Sequence, residues 1–68
     1  MKKLSQRLKE LREGKNLTLV ALAKELGVTY VAVGRWEKGT REPNVDMLIL
    51  IVKYFNVTLD YLVGLVDY

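Results

Sequence analysis

Four side chains in one short stretch, Thr29, Tyr30, Val31 and Arg35, carry the chemistry most open to a partner. Arg35 offers a planar fork of N–H donors that fits the O6 and N7 edge of a guanine or holds a phosphate, and its residue type permits both. Tyr30 can bond a phosphate or pack on a base edge. Val31 has no hydrogen-bonding group, so it can discriminate only through an apolar contact, such as one with a thymine methyl if the partner is DNA. This is the chemistry of recognition. Bond-making chemistry is poorly provided, because the 68 residues include no cysteine and no histidine. That removes disulfides, thiolate or imidazole metal sites, a Cys nucleophile and a His base. Asp60, Asp67 and the glutamates show no paired grouping for acid/base work, and Asp60 reads as a first-turn acid near a helix N-terminus. No enzyme, no cofactor and no metal is expected.

A chain this short buries only about 60% of the surface its unfolded form exposes, so one compact domain over residues 1–68 is expected. Its longest apolar run, Met47 to Val52, is far below the roughly 18 residues of a membrane span, and the first lysines precede no signal-peptide core. A cytoplasmic protein is expected. The formal charge of +3 hides an asymmetry. Residues 1–41 hold ten Lys or Arg against four Glu, a net +6, whereas residues 42–68 hold Lys53 against Glu42, Asp46, Asp60 and Asp67, a net −3. A basic face therefore belongs to the N-terminal part.

Hydrophobic period and punctuation predict an all-α fold of five short helices, at about 4–14, 19–26, 30–38, 45–55 and 59–63. Leu4, Leu8 and Leu11 make the apolar stripe of the first, with Gln6, Arg7, Lys9 and Glu10 on its wet face up to Gly14. Thr18 caps the second, in which Leu22, Ala23 and Leu26 face inward, and Gly27 closes it in the left-handed conformation. Thr29 caps the third, which runs through Val33, Trp36 and Glu37 to Gly39, with Val33 and Trp36 in the core. Two helices joined so tightly at a glycine must cross steeply, which is the helix-turn-helix arrangement. Ala23 fits such a crossing because a bulky side chain there would hold the two helices apart. Asn44 caps the fourth helix, with Val45, Leu48, Ile51, Val52 and Phe55 as its buried side and Asn56 as its stop. Thr58 caps the last, which Gly64 ends.

Leu17-Thr18, Leu22-Ala23, Gly27-Val28-Thr29, Val33, Arg35-Trp36-Glu37-Lys38-Gly39, Glu42-Pro43 and Phe55-Asn56-Val57-Thr58-Leu59-Asp60-Tyr61-Leu62 with Gly64 form an ordered set. In these spacings the chain resembles the lambda-repressor/Cro (Xre) family of DNA-binding domains from about Arg7 to Gly64. The resemblance implies that the third helix enters the major groove of double-stranded DNA and reads bases through Thr29, Tyr30, Val31 and Arg35. Phosphate contacts would come from the start of the second helix, at Thr18 and Leu19, and from Lys38, Thr40 and Arg41. It also implies a partly buried ion pair between Arg12 and Glu37 that fixes the angle of the third helix. The alternative for these two is a pair of solvated surface charges.

The chain departs from the family pattern at Leu19, where Gln is common, at Ala32 and Gly34, where Ser or Thr is common, and at Leu50, where Lys or Arg is usual. Gly34 costs about 1 kcal/mol relative to Ala and removes a possible contact. With Met47, Ile49, Leu50 and Tyr54 the fourth helix is apolar nearly all round, so a cover is expected. A second copy supplies it, pairing through Leu50, Tyr54, Leu59, Leu65 and Tyr68, with Val66 beside them. The resulting expectation is a dimeric, sequence-specific transcriptional regulator, a repressor of the phage or mobile-element kind on a pseudo-palindromic operator in a prokaryotic nucleoid. The alternative is a protein-interaction module such as an antitoxin or anti-repressor, binding a protein through Leu19, Tyr30, Val31 and Leu50.

Overall fold

The computed structural model describes residues 2–68, and among them the chain forms five helices and no strand: α1 Lys2–Gly14, α2 Leu19–Leu26, α3 Tyr30–Lys38, α4 Val45–Phe55 and α5 Leu59–Val63. Met1, which the domain expectation includes, lies outside the described residues. The helix starts are set by four short polar side chains. Thr18, Thr29, Asn44 and Thr58 each stand in extended conformation and accept a hydrogen bond from the backbone N–H three residues on. Each such cap is worth about 1 kcal/mol. The stops are left-handed residues, Gly27, Gly39, Asn56 and Gly64, whose N–H groups return to carbonyls of the helix just ended.

The first helix differs from expectation at its start. It begins at Lys2 rather than near Leu4, because the apolar stripe marks the first buried residue and not the first helical one. Lys2 and Lys3 are good helix formers and carry the helix outward into solvent. Gly14 is helical too, and the chain reverses two residues later at Asn16, with φ 58°.

Leu4 and Leu8 of α1, Leu22, Ala23 and Leu26 of α2, Val33 and Trp36 of α3, Ile51 and Phe55 of α4 and Leu62 of α5 form one buried cluster. Helix α3 packs on both α1 and α2, while α5 packs on α1 and α4. The core thus grips α3 by Val33 and Trp36 and leaves the opposite side of that helix to solvent. On α4 the buried side is Ile51 and Phe55, flanked by the half-buried Leu48 and Val52. Val45, expected with them, is 70% exposed, and Pro43, just outside the cap, is buried instead. The first turn of α4 thus leaves Val45 to solvent while Met47 and Leu48 pack against the core.

Arg7 is a second correction. Placed on the wet face by type, it is buried at 8% exposure. Its guanidinium lies 4.4 Å above the Tyr61 ring, donates to the Tyr61 carbonyl and donates to the Val66 carbonyl at 2.6 Å. Arg7 follows Leu4 by three residues and so falls beside the apolar stripe, where its stem packs inward and its head satisfies carbonyls at the end of α5. The ion pair to Asp67, 3.4 Å away, adds little because that carboxylate is fully exposed.

The same seam depends on Gly64, at φ +89°, where an added Cβ would stand 2.5 Å from Lys3 Cβ and 2.6 Å from its Cγ. Gly64→Ala is expected to destabilise the domain by about 1–3 kcal/mol, through backbone strain and separation of α1 from α5. Urea unfolding monitored by Trp36 fluorescence measures it; an unchanged midpoint would show that the seam gives way at no cost.

Candidate nucleic-acid interface

Helix α3 is positioned from inside. Val33 and Trp36 anchor it in the core, Thr29 fixes its first turn and Gly39 its last. At about 100° per residue, the side opposite Val33 and Trp36 presents Tyr30, Gly34, Lys38, Val31 and Arg35, in that order across an arc of roughly 140°. Tyr30 is 56% and Val31 43% exposed, and Arg35 and Lys38 are exposed. Arg35, Lys38 and Arg41 form no salt bridge among the described residues, so three cations stand unneutralised around this face.

Arg12 on α1 pairs with Glu37 of α3. Its Nε donates to Glu37 Oε2 at 2.7 Å and its Nη2 to Oε1 at 3.1 Å, a bidentate pair, while Nη1 donates to the Leu17 carbonyl at 2.7 Å. Both side chains are largely withdrawn from water, at 13% and 7% exposure. The hydrogen bond to Glu37 raises the Arg12 pKa, against the opposing effect of burial. One guanidinium thus ties three places together: the end of α1, the approach to α2 and the last turn of α3.

The remaining polar groups divide by where their protons are spent. Thr18 Oγ1 accepts from the Ala21 N–H at 3.1 Å and Thr29 Oγ1 from the Ala32 N–H at 3.2 Å, which leaves each hydroxyl proton available to an acceptor outside. Thr40 is different, because its hydroxyl donates to the Arg35 carbonyl at 3.4 Å and helps close α3. It can reach a phosphate only by exchanging that bond. Leu19, at the first position of α2, offers an anion its backbone N–H alone, and its half-buried side chain lies beside Gly34. Leu19, Tyr30, Val31, Gly34, Arg35 and Lys38 together line an open notch of about 250 Å³. The five positions assigned to subunit pairing lie elsewhere. Leu50, Leu59, Leu65 and Tyr68 are exposed, whereas Tyr54 is half-buried, its ring edge-on to Phe55 and covered by the Lys15 ammonium at 4.7 Å.

Residues 8–62 match the sequence model of the helix-turn-helix family. The chain belongs to that family. The helix-turn-helix domain is 43% identical over 60 residues to the HTH-type transcriptional activator BcrR of Enterococcus faecalis, covering 88% of this chain and 29% of that protein. It is 34% identical over 62 residues to the regulator YobD of Bacillus subtilis, covering 91% of this chain and 55% of that protein. The chain therefore spans between 29% and 55% of the length of these relatives. Its fold superposes on the P22 c2 repressor, solved in complex with a synthetic operator, with a TM-score of 0.82 and 32% identity over 87% of this chain and 89% of that one. The all-α, five-helix, lambda-repressor-like architecture is thereby shown, with α2 and α3 as the helix-turn-helix pair. Among the described residues no helix is long and apolar enough to cross a membrane, and no group of three or more His, Cys, Asp or Glu could hold a metal ion.

Two features of the helix-turn-helix domain escape a reading by residue type. The burial of Arg7 had a signal in its spacing from Leu4. The notch had only half of one, since Gly34 is visibly unusual inside a helix but its neighbour Leu19 is distant in sequence.

Proposed function

We propose that the helix-turn-helix domain is a sequence-specific reader of double-stranded DNA in a transcriptional regulator, pairing with a second copy on a pseudo-palindromic operator. The observation that carries this reading is the outward side of α3, where Arg35 and Lys38 stand unneutralised beside Tyr30 and Val31 on a helix rigidly held from within. In the major groove Thr29, Tyr30, Val31 and Arg35 face bases, while the helix starts at Thr18 and Leu19 together with Lys38, Thr40 and Arg41 face phosphates. The superposition on a repressor solved with its operator supports the groove assignment. Repression of the phage or mobile-element kind follows when the occupied operator excludes polymerase. One relative is named an activator, whereas the superposed structure is named a repressor. Pairing is supported by the exposed Ile49 and Leu50 of α4 and by Leu59, Leu65 and Tyr68 near the C-terminal end. The setting would be a prokaryotic or phage-infected cytoplasm, at the nucleoid. A protein-interaction module on the same fold is the second reading. It gains less support, because Leu19, Tyr30 and Val31 share the basic-rimmed notch whereas Leu50 stands outside it on α4.

Selection of bound duplexes from a random pool is the test, and half-sites about one turn apart are the expected product. Arg35→Ala is then expected to lower affinity for the selected duplex by roughly 5- to 150-fold with relaxed choice at one base if Arg35 reads guanine. If it holds a phosphate, the loss is uniform across sequences and the salt slope falls by about one per copy, about two for the pair. Unchanged affinity in a gel-shift titration would sink the groove assignment.

A further inference from the structure

Gly34 breaks a rule that the fold gives it no reason to break. It is helical, its φ is not among the positive ones, and a Cβ built on it would meet only Leu19 Cδ1, at an ordinary 3.9 Å. Glycine inside a helix weakens it, so neither conformation nor packing accounts for the residue. What its missing side chain does create is space on the outward side of α3. It lies between Tyr30 and Val31 in that arc, and it lines the notch with them, with the side chain of Leu19 beside it and Arg35 and Lys38 among the lining residues.

We propose that this notch is a specificity subsite for thymine, in which the 5-methyl group enters the space left by Gly34 and packs against Leu19, Val31 and the Tyr30 ring. The inference rests on the DNA-reading role proposed above. The occupant follows from complementarity. A helix laid in the major groove meets a floor of polar base edges on which the thymine methyl is the one apolar group. The notch combines Leu19, Tyr30, Val31 and Gly34, which offer a methyl group apolar contact, with Arg35 and Lys38, whose charges suit flanking phosphates. Glycine at this point lets the backbone of α3 approach the base edges more closely than any other residue allows. The departures at Leu19 and Gly34 then act together, Leu19 exchanging a polar backbone contact for an apolar wall.

The test uses duplexes selected by this chain, resynthesised with deoxyuridine replacing thymidine one position at a time, against the wild-type chain and Gly34→Ala. Wild type is expected to lose about fourfold in affinity at one position per half-site, the effect of one buried methyl group. Gly34→Ala is expected to raise the thermal midpoint by about 4–8 °C, since the helix gains alanine without a clash, yet to bind the selected duplex several-fold more weakly. It should also lose most of the difference between thymine and uracil at that position. A variant that is both more stable and weaker in binding separates the subsite from a general effect on folding. Salt-dependent duplex binding that is blind to the methyl at every position, or unimpaired binding by Gly34→Ala, overturns the subsite and leaves the DNA-reading role standing. Absence of enrichment and of any duplex binding overturns both.

Discussion

Glu37→Ala is expected to lower the unfolding free energy by about 3–5 kcal/mol, the cost of leaving a buried charge without its partner. The deletion strands the Arg12 guanidinium. Nε and Nη2 lose their acceptors at 2.7 and 3.1 Å, and only the Leu17 carbonyl remains, at 2.7 Å from Nη1. The group cannot escape by losing its proton. A guanidinium stays protonated in proteins; in the wild-type chain the bond to Glu37 raises its pKa further, a contribution to stability present below the unfolded value and lost only as pH rises through the higher folded one, and the variant forfeits it. A domain of this length has about 3–10 kcal/mol of stability in total, so the variant should be substantially unfolded at 37 °C. Urea titration followed by far-UV circular dichroism measures the change. Replacing both members, Arg12→Met with Glu37→Leu, should recover most of the loss, because the desolvation of two charges disappears with them. If the single variant costs under about 1 kcal/mol, the pair behaves as a solvated surface pair and does not orient α3.

Much of this architecture is legible in the sequence because it is local. Thr18, Thr29, Asn44 and Thr58 cap their helices through bonds spanning three residues, and Gly27, Gly39 and Gly64 supply left-handed stops, so residue type and spacing suffice. The inward placement of Val33 and Trp36 follows from helical period for the same reason. What is illegible depends on where elements end relative to one another. Val45 has the period of a core residue, yet at the first position of α4 it is exposed while Met47 and Leu48 of the same turn pack on the core. Arg7 has the type of a surface residue, yet the end of α5 brings carbonyls within its reach from residues 54 and 59 positions away. The pairing of Arg12 with Glu37 lies between these cases. Its separation of 25 residues is unreadable from period, and only the resemblance to a known family pointed to it. The notch required two such facts at once, the exposure of one side of α3 and the approach of Leu19 from α2.

Affinity for duplex DNA is expected to fall about 500-fold between 50 and 200 mM monovalent salt, from a slope of log K against log salt near −4 to −5. The slope counts phosphates neutralised, and the free cations bound that count. Lys38 and Arg41, the cations proposed to face phosphates, form no salt bridge among the described residues, and Arg35 joins them if it holds a phosphate and not a guanine. If two copies pair on one operator as proposed, they supply four to six neutralised phosphates, for which about five is the central value. Arg12 does not enter the count, because its charge is already spent on Glu37. The net −3 of residues 42–68 opposes DNA only weakly if those residues lie away from the groove, as the pairing role requires. Fluorescence anisotropy across this salt range measures the slope. A slope near −2 would mean that a single copy binds, with the pairing residues idle at working concentration. A flat response would remove DNA as the partner, since no duplex reader can displace phosphate counterions without showing it in salt.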